Sequence, residues 1–290
     1  MFNKEIFATI NLAHYFESAF TAEQVYRYLR IKLDRQTFDE TLETLKRQNL
    51  IYEKHKALFT KDLEKAYQQK KIWSRDLFNR HKAYLWLIAK APWVKYAALT
   101  GANAFESCKD KDDIDLFLIT KKNRLWICYT LLVVVSKLSR KREILCLNYL
   151  VDEENLHFKQ QNYYTAVQIM QMVPLFDNVF SRKLIEQNAW VFDFLPNAEP
   201  ELPKDSFYVI KNGKQFLNGN GRLQLKFMAK LNYVVFQRYS QRLVKKYPDK
   251  IGAGIVLNEG VAKLNRVDHQ DIYEKIYQNI HREIEESLSI

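Results

Sequence analysis

Residues Leu99–Thr120 read LTGANAFESCKDKDDIDLFLIT. An apolar run, Val94 to Leu99, ends at Thr100-Gly101, and a second, Ile114 to Ile119, opens on Asp112-Asp113-Ile114-Asp115. This is the pattern of a strand, a glycine turn and a strand. Residues i and i+2 of a strand point to one face. Asp113 and Asp115 are therefore expected side by side, with Ile114 in the core. Adjacent carboxylates repel unless a cation lies between them. Hard oxygen donors at this spacing suit Mg²⁺, which takes one or two protein carboxylates together with substrate phosphates.

The stretch resembles the signature of the nucleotidyltransferase superfamily related to DNA polymerase β. The matching residues are Thr100-Gly101-Ala102 and, on the next strand, Asp113-Ile114-Asp115. Ala102 stands where that signature often has Ser. The resemblance implies transfer of a nucleoside monophosphate from a nucleoside triphosphate to an acceptor. It implies that Asp113 and Asp115 hold Mg²⁺ (or Mn²⁺) and that Thr100, Gly101 and Ala102 cradle the triphosphate. Lys121 and Arg124, just past the acidic strand, are candidates to neutralise phosphate charge, or else part of a basic loop capping the strand. The superfamily usually places a third carboxylate on a later strand. In EILCLNYLV (Glu143–Val151) the best-matching position is Asn148, which cannot accept a proton. Asp152, Glu153, Glu154 and Glu106 are the neighbouring acidic candidates.

The expected fold class is α+β: a small mixed β-sheet nucleotidyltransferase core with an N-terminal winged helix and a C-terminal helical region. Thr21 and Gln24 have capping-box spacing and start a helix through Leu29. Another helix carries Phe38, Leu42 and Leu45, and residues 50–60 read as a two-stranded ribbon. Three helices and a ribbon in residues 1–61 resemble a winged helix. Residues 62–92 read as linker helices, 93–197 as the core and 198–290 as a basic helical region. The whole arrangement is similar to a bacterial group of the superfamily whose substrate is unknown. The aromatic and Met-rich stretch from Met170 to Phe194 is expected in the core, and Pro196–Pro203 as an extended linker.

The chain has 290 residues and a formal net charge of +11, which favours polyanionic partners. Residues 1–80 carry 15 Lys/Arg against 11 Asp/Glu, whereas residues 204–250 carry 11 against 2. The surplus thus lies in the C-terminal part. There Arg222, Lys226 and Lys230, then Arg238, Arg242 and Lys246, recur at i+4. These ridges read as a surface for nucleic acid or protein, or as a solvated helix face. Asn218–Gly221 reads as a tight turn. The third N-terminal helix mixes Arg35, Lys46 and Arg47 with Asp39, Glu40 and Glu43, a poor surface for DNA phosphates. His14 and His55 read as core or surface residues rather than ligands. Three Cys without CxxC spacing argue against zinc and against a disulfide framework. Reduced thiols and the lack of a signal-peptide pattern give a cytoplasmic expectation, with no membrane span.

The function expected from these readings is a Mg²⁺-dependent nucleotidyltransferase acting on an unknown acceptor. The alternative is a catalytically degenerate protein of that fold, acting as a nucleic-acid- or protein-binding regulator.

Overall fold

The computed structural model describes residues 2–176, 179–205, 207–210, 222–252, 254–265 and 270–288. The Asn218–Gly221 turn expected from the sequence lies outside them. The fold is mixed α/β, built on a six-stranded mixed sheet among the described residues.

The chain opens with three helices, α1 (Phe2–Tyr15), α2 (Ala22–Tyr28) and α3 (Arg35–Arg47), and a two-stranded ribbon, β1 (Tyr52–Lys54) and β2 (Ala57–Phe59). The expected capping box starts α2. Thr21 Oγ1 accepts from Gln24 N at 3.2 Å, and Gln24 Oε1 accepts from Thr21 N at 2.9 Å. Asp34 caps α3 one way only, its Oδ1 accepting from Thr37 N. Residues 64–89 form one long helix, α4 (Glu64–Ala89), which Pro92 separates from β3 (Val94–Leu99).

A four-residue helical turn, α5 (Gly101–Ala104), follows β3 and leads to β4 (Ile114–Thr120), which runs antiparallel to β3. Helix α6 (Leu125–Leu138) crosses over to β5 (Leu145–Asp152), which is parallel to β4. Then come α7 (Tyr163–Met170), the short strand β6 (Val173–Pro174), α8 (Val179–Gln187) and α9 (Val191–Phe194). The C-terminal part supplies α10 (Arg222–Lys246), the hairpin β7 (Ile255–Asn258) and β8 (Val261–Leu264), and α11 (Gln270–Leu288). The strand order is β6-β3-β4-β5-β8-β7.

The region beyond residue 198, expected as helical, carries that hairpin as well as its helices. Strand β8 pairs with β5, so residues 255–264 complete the sheet. The signal lies in IVLNEGVAKL, two apolar runs around Asn258-Glu259-Gly260.

Both faces of β4 are buried, which explains its nearly continuous apolar sequence. Ile114, Leu116 and Leu118 face one core, shared with α4 and α6. Phe117 and Ile119 face the other, shared with Phe38 of α3, Ile6 of α1, Met170 of α7 and Tyr273 of α11. The N-terminal helices therefore use the sheet as part of their core. Burial of some dozens of apolar side chains on each face, at roughly 25 cal/mol per Å², is what holds the layers to the sheet. Met170, Met172, Leu175 and Phe176 are core residues as expected. The proline-rich stretch is docked rather than free. Asn197 accepts from Leu33 N through Oδ1 and donates to Ile31 O through Nδ2.

Helix α6 lacks a side-chain cap of its own. Asn232 of α10, only 1 % exposed, replaces it: its Oδ1 accepts from Trp126 N at 2.8 Å and Ile127 N at 3.3 Å. Tyr129 and Tyr239 hydroxyls meet at 2.8 Å, and Trp126 packs on Phe236. Phe236 and Tyr239, which lie among the basic residues of α10, are thus packing residues. No helix among the described residues is long and apolar enough to cross a membrane.

Candidate functional site

Strand alternation puts Asp113, Asp115, Phe117 and Ile119 on one side of β4. The first two stand at the edge of the core, where the strand begins. The turn after β3 arrives beside them. Thr100 N donates to Asp115 O at 3.1 Å, and Asn103 Nδ2 donates to Asp113 O at 2.9 Å, so the turn fixes the backbone of both acidic residues. Gly101 has φ +56°, a left-handed conformation that glycine adopts without steric cost. A Cβ there would lie 2.6 Å from Asp115 Oδ2. Glycine is required twice over, by conformation and by the carboxylate pressed against it.

The partner strand is aimed by a bulge. Asp115 pairs with Cys146 and Leu116 with Leu147, but Phe117 pairs with Tyr149. Asn148 is the extra residue. Bulges re-aim side chains, and this one turns Asn148 toward β4, where its Nδ2 donates to Asp115 Oδ1. The position chosen from sequence is thus beside the acidic pair. Cys146, expected from the sequence only as a reduced thiol, has its Sγ beside the Asp113 and Asp115 carboxylates, all within 4.8 Å of one another. The adjacency needs the parallel β4–β5 register, which the sequence does not display.

Burial, and then the charge of Asp113, push the Asp115 carboxyl up to about 7. Burial and the two aspartates push the Cys146 thiol up as well. Cys108 and Cys128 are fully buried, and burial raises both thiols to about 12. All three cysteines are free.

Thr100, Gly101, Ala102, Asp113, Asp115 and Asn148 line one cleft of about 2200 Å³. Lys121 and Arg124 are elsewhere. Strand β4 runs away from the carboxylates, and about 20 Å of extended chain separates Asp115 from Lys121. Lys121 N donates to Trp93 O at the far end of β3, and Arg124 is buried. Asp152 pairs with Thr120 at that same far end, with Glu153 and Glu154 just beyond, and Lys122 is paired with Glu154. Glu106 is held by Arg75, Lys71 and Tyr208. The cations that do line the cleft include Lys137 and Arg142, which precede β5, and Arg242 and Lys246 of α10. A strand parallel to β4 begins at the carboxylate end, so the residues before β5 come close.

Of the other residues in the basic rows, Lys226, Lys230 and Arg238 are exposed on α10, and Arg222 begins the helix. The N-terminal cations are engaged instead. Arg35 pairs with Glu23 and Asp39, and Lys46 with Glu43 and Glu53. His14 is buried between Thr60 Oγ1 and Leu58 O, while His55 is an exposed partner of Glu64.

No family model matches the chain, nor does any curated protein or solved structure.

Proposed function

We propose that the chain is a nucleotidyltransferase-fold protein that binds a nucleoside triphosphate with Mg²⁺ or Mn²⁺ at Asp113 and Asp115 and transfers the nucleoside monophosphate to an acceptor. The observation that carries the reading is the acidic pair held against the Gly101 turn in the wall of a large cleft. The donor set fits a hard divalent cation. It offers two carboxylates, and Asp115 is raised by burial and by Asp113, a repulsion that a cation relieves. The Cys146 thiol, raised further, stays protonated and is a poor ligand for such an ion.

When bound, the cation would neutralise phosphate charge and polarise the α-phosphoryl group. Asp113 and Asp115 would hold it, and Gly101 lets Asp115 approach the turn. Arg142 and Lys137 supply positive charge on the cleft wall. In the reaction the acceptor oxygen forms a bond to the α-phosphorus and the bond to the β-phosphate oxygen breaks. Pyrophosphate leaves, and the acceptor's proton passes to cleft water. Positioning and charge neutralisation account for the rate enhancement.

A second reading follows from Asn148. Asn148, at the position where the resemblance implies a third carboxylate, donates to Asp115 instead, and this supports a protein that binds nucleotide without turning it over. The N-terminal helices and ribbon are read as a winged helix that serves packing or protein contact. The ion pairs of Arg35 and Lys46 leave little free positive charge for DNA.

Calorimetric titration of each nucleoside triphosphate with Mg²⁺ into wild type and Asp113→Ala/Asp115→Ala tests the site. Metal-dependent binding to wild type alone is expected. Equal binding to both overturns the assignment. Release of pyrophosphate on adding candidate acceptors separates the catalytic reading from the binding one.

A further inference from the structure

We infer that the acceptor is a single-stranded nucleic acid, which lies along α10 and enters the cleft at its Arg242–Lys246 end. The inference rests on the nucleotidyltransferase reading of Asp113 and Asp115 and supplies the acceptor class that the reading lacks.

Helix α10 carries seven Lys or Arg and no Asp or Glu. It touches the body through Asn232, Val235, Phe236 and Tyr239. Lys226, Lys230, Arg238, Arg242 and Lys246 are all exposed, and none is ion-paired with a described residue. Like charges along one helix repel, and a row left unpaired gains by binding a polyanion. They occupy successive i+4 positions, interrupted only at Val234. Each step of four residues turns about 40° around the helix. The row therefore crosses the exposed face obliquely rather than following one edge. Over about 30 Å it winds from the outer side to the body, where Arg242 and Lys246 line the cleft that holds Asp113 and Asp115.

A row of cations with no ion-pair partner among the described residues, leading to a carboxylate pair, is a track for a backbone of phosphates that ends at a metal. Phe227 is 67 % exposed and Tyr233 41 %. Both stand among the cations, where they offer faces for base stacking. A duplex has no free bases to stack on them. An anionic membrane is the competing polyanion, but a membrane-binding helix separates an apolar face from a charged one. On α10 the exposed Phe227, Leu231 and Val244 are interleaved with Lys and Arg, and a lipid surface does not enter a cleft.

The test is fluorescence anisotropy with a labelled, mixed-sequence single-stranded RNA long enough to span the row, in EDTA, across a salt series. Wild type is expected to bind with strong salt dependence. Arg238→Glu/Arg242→Glu and, separately, Lys226→Glu/Lys230→Glu are each expected to weaken binding about tenfold or more and to flatten the salt slope by about two. All four positions are exposed, so the melting temperatures should match wild type. Asp113→Ala/Asp115→Ala should bind RNA as wild type does, because no metal is needed for the track. Equal RNA affinity in wild type and both charge-reversed variants overturns the inference. So does binding to phosphatidylserine vesicles with none to RNA. If triphosphate binding fails while RNA binding responds to the α10 variants, the track stands and the reading of the acidic pair falls. Metal-dependent triphosphate binding without RNA binding is the reverse result.

Discussion

The carboxylate of Asp115 lies where a side chain on Gly101 would begin: a Cβ at position 101 would sit 2.6 Å from its Oδ2. Gly101→Ala must therefore push Asp115 aside as well as strain the turn. The φ of +56° costs a non-glycine residue roughly 1–2 kcal/mol. We expect a modest drop in melting temperature and at least a tenfold loss of Mg²⁺-dependent triphosphate binding, read by calorimetry. Binding unchanged from wild type would show that the turn and the carboxylate are not one unit.

Asn148→Asp places a third carboxylate at the bulge facing Asp115. Without metal, it replaces a hydrogen-bond donor by a like charge. The variant should melt below wild type in EDTA and recover more than wild type when Mg²⁺ or Mn²⁺ is added. Thermal melts with and without metal read the difference. An identical metal response in the two proteins would separate Asn148 from the site.

His14 gives the fold a pH dependence of its own. It is 2 % exposed, and burial lowers it from 6.5 to about 4. Between those values the unfolded chain binds a proton that the folded chain does not, so folding is opposed as pH falls. The His14 contribution is intact above pH 6.5, declines as pH falls through 6.5, and levels off near 4. The whole span is about 3 kcal/mol. Urea denaturation at several pH values should show this decline in wild type and a weaker one in His14→Gln.

Asn232 is a cap supplied from another helix. Asn232→Ala leaves Trp126 N and Ile127 N without their acceptor and should cost about 1–2 kcal/mol. Trp126, fully buried, sits at that junction, so its fluorescence is a local probe of the loss. An unchanged denaturation midpoint would mean that the end of α6 finds another partner.

Local rules carried the sequence reading furthest where neighbours in the chain are neighbours in space. Thr21 and Gln24, the ribbon at 52–59, and the strand–turn–strand around Gly101 were all legible in this way. Alternation places Asp113, just before β4, and Asp115, on it, side by side. Of the two readings of Lys121 and Arg124, the structure favours the loop past the strand, away from the acidic pair. An extended strand carries its following residues away at about 3.3 Å each. Cys146 and Arg142 escaped for the opposite reason: only the parallel register of β5 brings them to the acidic end. The β7–β8 hairpin is short, and its two apolar runs stand between two long charged helices.

Strand β5 pairs on its outer edge with β8, Tyr149 opposite Lys263. During synthesis that edge has no partner until residues 261–264 have been made. A partly made chain exposes unpaired N–H and C=O groups beside an already apolar ladder, which invites strands from other molecules. Misassembly of this protein should therefore begin at β5, on the strand that carries Cys146 and Asn148.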